Sequence, residues 1–237
     1  MIIKSFCAHR GLSALVPENT LPAFAAAYAL GADEIEFDVR LTCDGRMVVS
    51  HDSKLERISD GRGRVADFTL AELRELNVGI KQGWQVGLCT PEEVFELLSG
   101  RLRFNIHLKE HGEGILIKML VRIAEKYHAK KSIYFAASPT ELEYMVRYAP
   151  DIERAAIQLP KDTMPIYDMA CDFGCTRVQF WHGMFDPPLV EKMHSRNIHC
   201  NVYFADTPED FDLYFGMGID TILTNRMDIA RSYREKK

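Results

Sequence analysis

No apolar run in this 237-residue chain approaches the roughly 20 residues that a membrane-spanning helix requires. The amino-terminal "MIIKSFCAHRG" has a short apolar start but neither the extended apolar region nor the small-residue cleavage site of a signal peptide. A cytoplasmic protein is therefore expected. The chain also lacks any basic block or stripe. Its formal charge is -5, its pI is about 5.9, and charges of both signs are spread along it. Nucleic acid is excluded as a partner on that footprint. Cysteine is sparse: Cys7, Cys43, Cys89, Cys171, Cys175 and Cys200 are scattered. The one close pair, Cys171 and Cys175, has neither zinc-finger spacing nor a second pair to complete a site. All six are read as buried or incidental thiols in a reducing compartment.

Apolar mass is plentiful. At 47% hydrophobic residues, the chain can bury a sizeable core as a single domain over residues 1–237. Short apolar runs alternate with amphipathic segments. "IIKSFCA" reads as a strand and "NTLPAFAAAYALG" as a helix capped by Asn19 or Thr20, with Pro22 in its first turn and Gly31 at its end. "EIEFDVRL" and "RMVVSH" follow as strands around the turn "CDG". "FTLAELREL" and "TPEEVFELLSG" are helices capped at Thr69 and Thr90, and "LRFNIHLK" is the next strand. From there strand and helix alternate to the end, giving about eight βα units with no linker or low-complexity stretch. Such a rhythm implies a parallel sheet with helices outside it, and the fold expected is an α/β (β/α)₈ TIM barrel. A doubly wound open sheet is the alternative. The first strand is followed by no Gly-rich nucleotide fingerprint, which weighs against it.

The stretch "ADEIEFDVRL" sets a physical problem. Ile35, Phe37, Val39 and Leu41 alternate with Glu34, Glu36, Asp38 and Arg40, the pattern of a strand with one apolar face. Three carboxylates on the other face repel one another and lose solvation if covered. In a barrel that face points inward, and acids near the strand's carboxyl end are tolerable if a cation neutralises them. A partly solvated strand with ordinary ion pairs is the plainer alternative. Neighbouring residues favour the cation. His9 and Arg10 end the first strand, His51 and Asp52 end "RMVVSHD", and Asn105, His107 and Lys109 share one face of "RFNIHLK". Two imidazoles, two or more oxygen ligands and two fixed positive charges suit in-line displacement at a phosphate.

These residues resemble the glycerophosphodiester phosphodiesterases, metal-dependent (β/α)₈ enzymes. The resemblance rests on "AHRG", on "PENTLPAFAAAYALGADEIEFDVRLTCDGRMVVSHDSKLERISDGRG" and on "FTLAELREL". More loosely, it extends through "NIHLK" and "TPEDFDLYFGMGIDTILTN" over essentially the whole chain. It implies His9 and His51 as the general acid/base pair, Glu36 and Asp38 as metal-binding acids of an E-x-D motif, and Arg10 and Lys109 as phosphate contacts. Glu18 and Asn19 match the family's E-N-T sequence, with helix capping and loop anchoring an equal reading. Glu34 is expected to be a structural partner of Arg40 or Lys109, and Asp60-Gly61-Arg62-Gly63 is expected to be a turn without chemistry.

Two departures from the family stand out. His107 occupies the place of the usual third metal-binding glutamate in an N-x-E-x-K pattern. One divalent ion is implied, Mg²⁺ or Ca²⁺ by resemblance, with Mn²⁺, Co²⁺ or Zn²⁺ better suited to an imidazole. The alternatives are His107 as a spectator beside water, Glu110 as the ligand, or a weakened site. Near the seventh barrel strand, Tyr203-Phe204-Ala205-Asp206 replaces the frequent W-T-V-N. Trp181, Tyr203 and Phe185 are candidates to shape the pocket for the organic group, packing being the other reading for each. The activity implied is hydrolysis of a small glycerophosphodiester to glycerol 3-phosphate and an alcohol, which belongs to lipid and glycerol metabolism. The rivals are a catalytically weakened phosphodiester-binding barrel and a related lysophospholipid phosphodiesterase releasing cyclic phosphate. An aldolase or isomerase on the same fold has no sequence feature in its favour. A homo-oligomer is a base-rate expectation.

Overall fold

Helix starts carry the most regular local signal. Thr20, Asp186 and Thr207 each accept a backbone N–H three residues on with the side chain, and Thr69 and Thr90 form full capping boxes with Glu72 and Glu93. A proline sits in the first turn behind Thr20, Thr90, Ser138, Asp186 and Thr207, where its missing N–H costs nothing. The helices so started are α1 (Leu21–Ala29), α2 (Leu70–Arg74), α3 (Pro91–Leu98), α5 (Pro139–Tyr148), α7 (Pro187–His194) and α8 (Pro208–Gly216). The others are α4 (Ile115–Lys126), α6 (Ile166–Asp172) and α9 (Met227–Glu235). The structure is a computed structural model and describes residues 4–109, 112–157 and 163–236.

Between the helices run β1 (Ser5–His9), β2 (Glu34–Leu41), β4 (Arg103–Leu108), β5 (Ile133–Ala137), β6 (Glu153–Ile157), β7 (Arg177–Trp181), β8 (His199–Tyr203) and β9 (Thr221–Thr224). All pair in parallel, and β1 bonds to both β9 and β2, so the sheet closes. The fold is the eight-stranded (β/α)₈ barrel. A ninth strand, β3 (Met47–Val49), stands outside the ring and pairs antiparallel with β2. The tight turn at residues 42–46, where Thr42 N–H reaches the Arg46 carbonyl, permits no other direction; a parallel return needs a long crossover.

The outward strand faces make the core. Ile35, Phe37 and Val39 are fully buried under helices, as the alternation requires, with Phe24 5.9 Å from Phe37 and Phe95 4.7 Å from Phe104. Each such side chain contributes roughly 1.5–3 kcal/mol. A second, smaller core (Val48, Leu55, Val65, Leu73, Val78, Leu88) sits under the 52–88 segment that follows β3. Backbone approach is closest at Gly11, which has φ +82° and where an added Cβ would lie 2.7 Å from the Ala23 carbonyl carbon. Among the described residues no helix is long and apolar enough to cross a membrane. None of the six cysteines is in a disulfide; Cys43 and Cys171 are exposed and the rest buried.

Candidate active site

Register assembles the site. Parallel pairing sets His9 level with Glu36, Glu36 level with Asn105, and Asp38 level with His107. Inward-facing residues from β1, β2 and β4 thereby meet at the carboxyl end of the barrel. His51 arrives from outside the ring: Ser50 N–H bonds the Asp38 carbonyl at 3.0 Å, which lays the chain after β3 across the mouth. Arg40 donates to the His51 carbonyl from both Nε (3.1 Å) and Nη2 (2.7 Å). The structure thus brings His9, Arg10, Glu36, Asp38, His51, His107 and Lys109 to one end of the barrel.

Glu34 behaves differently from its neighbours on β2. Its expected partners were Arg40 or Lys109, but the carboxylate accepts from Tyr134 Oη at 2.6 Å and lies 3.4 Å from Arg177 Nη1. Both partners come from other barrel strands, one layer below the mouth. Lys109 instead reaches Asp38 Oδ1 at 3.1 Å and His107 Nδ1 at 3.0 Å.

Glu36 and Asp38 are almost completely buried, at 1% and 0% exposure. Burial and the neighbouring Asp38 raise the Glu36 carboxyl well above its usual range. Burial acts the same way on Asp38, but Lys109 and Arg10 outweigh it and hold that carboxyl well below its usual range. Asp38 Oδ2 accepts from Asn19 Nδ2 at 2.9 Å, whereas the buried Oδ1 has an ion pair with Lys109 but no hydrogen bond of good geometry among the described residues. His107 Nδ1 lies 3.5 Å from that oxygen and 3.9 Å from Glu36 Oε1. Burial and Lys109 lower the His107 imidazole well below its ordinary value, which keeps it in the neutral, ligating form. Potential ligand atoms of Glu36, Asp38 and His107 all lie within 4.8 Å of one another. Two buried carboxylates and a neutral imidazole with their donor atoms this close fit a divalent cation. Glu110, the alternative third ligand, lies outside the described residues.

The two histidines at the strand ends differ in their partners. His9 Nδ1 is 2.8 Å from Asn225 Oδ1. Asn225 in turn donates Nδ2 to Asp206 Oδ2 at 2.8 Å. A carboxylate can only accept, so the amide oxygen faces His9 and the histidine must carry its proton on Nδ1, leaving Nε2 as a free acceptor. Burial and Arg10 lower His9 to about 4, against the opposing effect of its hydrogen bond to Asn225 Oδ1. His51 Nδ1 is 2.7 Å from the Asp52 carboxylate. Burial lowers His51 too, yet Asp38 and Asp52 both favour its protonated form.

At the rim, Trp181 and Tyr203 meet edge to face at 5.1 Å across the paired ends of β7 and β8. Phe185 does not join them; it stacks on Phe180 at 4.8 Å and packs against the outer core. Phe204, 42% exposed, stacks on His9 at 5.9 Å. Phe204, Asp206, Asn225 and the aim of Asn19 into the barrel were not legible as site features in the sequence. Asn19 has φ +58°, a backbone conformation that Asn tolerates better than most residues and that turns its side chain toward Asp38 while Thr20 caps α1. The turn expected at Asp60–Gly63 lies instead at residues 56–58; Asp60 and Gly63 are bends around an irregular pair, with Gly63 at φ +105°.

A model of the glycerophosphoryl diester phosphodiesterase family matches residues 9–229. A glycerophosphodiester phosphodiesterase of Caldanaerobacter subterraneus is 33% identical over 225 residues, covering 92% of each chain. One of Bacillus altitudinis is 43% identical, covering 97% of each. Among solved structures, an Oleispira antarctica phosphodiesterase in complex with the product sn-glycerol-3-phosphate superposes with a TM-score of 0.89 at 23% identity, covering 98% of this chain and 97% of that one. A glycerophosphodiester phosphodiesterase of Thermotoga maritima gives 0.81 at 24% identity, covering 99% and 98%. The chain belongs to the glycerophosphoryl diester phosphodiesterase family.

Proposed function

We propose that this family member hydrolyses glycerophosphodiesters to glycerol 3-phosphate and a free alcohol, using one divalent cation held by Glu36, Asp38 and His107. The observation that carries the reading is the buried cluster of Glu36, Asp38 and His107, whose potential ligand atoms lie within 4.8 Å of one another between two histidines each held through Nδ1 by an oxygen acceptor. The named activity of the relatives and the product bound in the Oleispira antarctica enzyme support the substrate class.

Arg10 and Lys109 bind the non-bridging phosphate oxygens by charge-assisted hydrogen bonds. His9, neutral at pH 7 with Nε2 free, takes the proton of the attacking hydroxyl. His51, held by Asp52 through Nδ1, gives a proton to the departing alcohol oxygen. One O–P bond forms and the P–O bond to the alcohol breaks. Where the substrate's own glycerol hydroxyl attacks, water opens the cyclic phosphate with the two roles exchanged. The bound cation supplies Lewis-acid stabilisation of charge developing on phosphate oxygen. Phe204, stacked on His9, walls the side of the attacking hydroxyl, and Trp181 and Tyr203 extend that apolar wall along the rim. His107 shifts the preferred ion toward Mn²⁺, Co²⁺ or Zn²⁺. Six unpaired cysteines fit a reducing, cytoplasmic setting.

The test is turnover of glycerophosphocholine and glycerophosphoethanolamine by metal-stripped protein given Mg²⁺, Ca²⁺, Mn²⁺, Co²⁺ or Zn²⁺ singly. Activity should require an ion and fall on the order of 10²–10⁴-fold in His51→Ala. Bound metal without turnover on either ester would favour a barrel that binds phosphodiesters without cleaving them.

A further inference from the structure

Arg57 touches none of the groups assigned a step above, yet the partner of one of them depends on it. Its Nε donates to Asp52 Oδ2, while Asp52 Oδ1 accepts from His51 Nδ1 at 2.7 Å. The other end of the guanidinium grips Glu18 with two bonds, Nη1 to Oε2 at 2.8 Å and Nη2 to Oε1 at 2.7 Å. Glu18 is held independently by Arg10 Nη1 at 3.0 Å. All three guanidinium nitrogens are thus directed at two carboxylates from different loops. Arg57 is itself pinned: Ile58 and Ser59 N–H both bond the Leu55 carbonyl, and Leu55 is buried in the second core.

We propose that Arg57, anchored by Glu18, is a positioning residue that fixes Asp52 against His51 and so orients the His51 imidazole for proton transfer; the proposal rests on the phosphodiesterase reading above. Asp52 alone is a short, partly exposed side chain able to turn away from the ring. The planar fork removes that freedom, because one rigid group bonds both carboxylates at once. Glu18 completes the geometry by holding the far edge of the fork. The satellite core under residues 52–88 then has a task beyond covering β3: it delivers Arg57 to this place. Lysine cannot substitute, since a single ammonium lacks the two-edged geometry.

The side chain of Arg57 is 49% exposed. Half-exposed ion pairs contribute little to stability, so a purely structural Arg57 would be nearly dispensable. A positioning role predicts instead a loss of rate without a loss of fold. In the metal-loaded enzyme acting on glycerophosphocholine, Arg57→Met and Arg57→Gln should lower kcat about 10- to 100-fold, the scale of outer-shell partners. KM should stay within about threefold, Tm should move by about 3 °C or less, and Arg57→Lys should recover little. Added guanidinium should restore part of the Arg57→Met rate. In a His51→Ala background, Arg57→Met should have no further effect, since its contribution passes through the ring already removed.

Nuclear magnetic resonance of ¹⁵N-histidine-labelled protein supplies a readout independent of turnover: the His51 Nδ1–H signal should be present in the wild type and lost in Arg57→Met. An unchanged kcat in both variants, a full additional loss in the His51→Ala background, or persistence of that signal in Arg57→Met would each overturn the proposal. Should the wild-type protein turn over no glycerophosphodiester, the functional reading fails by itself, and the His51 signal still decides whether Arg57 positions the ring.

Discussion

Glu34 and Asp38 stand four residues apart on the same face of one strand, and their surroundings have little in common. At the lower level Glu34 receives the Tyr134 hydroxyl and the Arg177 guanidinium, Arg177 also reaches Glu153, and its Cζ lies 4.4 Å from the centroid of the Tyr134 ring. Asn201 closes the group by donating to Tyr134 Oη at 3.0 Å. Protein groups compensate that charge. At the upper level Asp38 Oδ1 has, among the described residues, only the ion pair with Lys109 and no hydrogen bond of good geometry, and Glu36 is pushed toward its neutral form. Burying a carboxylate without full compensation is costly. The cost is tolerable where a ligand or cation completes the set, and under the proposed function the incomplete layer is the reactive one and the complete layer its foundation.

If the lower layer is a foundation, breaking it should cost fold rather than chemistry. Arg177→Met leaves Glu34 buried and uncompensated and should destabilise the protein by about 3–5 kcal/mol in urea unfolding. Metal affinity of the folded fraction should stay near wild type. Adding Glu34→Gln should recover much of the loss, because the uncompensated charge is then gone.

In the upper layer the expected pattern is the reverse. Asn225→Ala removes the amide that sets the His9 tautomer and should lower kcat about 10- to 100-fold, with a much smaller change in unfolding free energy. A loss of stability matching that of Arg177→Met would erase the distinction between the layers.

The effect confined to acid concerns His199, which faces Arg177, Asp220, Arg103 and Glu153 at the lower end. Burial and Arg177 lower it from 6.5 to about 4. Between those values the unfolded chain binds a proton that the folded chain refuses, so stability falls as pH drops through that window. Thermal unfolding from pH 7 to pH 4 should show a shallower decline in His199→Gln than in the wild type.

How much of this was legible in the sequence follows from the range of each signal. β2 was readable residue for residue, because a strand's period of two is local and Glu34 to Leu41 keep it without a break. Cap-and-proline pairs at Thr90-Pro91 and Thr207-Pro208 likewise announce their helices. The gathering of His9, His107 and Lys109 needed only the barrel, since each lies at or just past a strand's carboxyl end, and Glu36 and Asp38 join them because β2 runs on beyond the ends of its neighbours. Arg177 as the partner of Glu34 was not readable, because it depends on which strands face each other across the closed ring. Asn225, Asp206 and Phe204 were hidden for the same reason: the bond to His9 spans the closure between β9 and β1, and nothing within either segment marks it.

The central claim is that the incomplete layer binds a cation and the complete one does not. Its most direct test is a titration of metal-free protein with Co²⁺, followed by calorimetry and by the visible spectrum of the ion. Wild type and Glu34→Gln should each bind one ion, with a spectrum that changes when His107 becomes Gln. Asp38→Asn should lose the binding. Equal dependence on Glu34 and Asp38, or no stoichiometric binding by the wild type, would contradict the account.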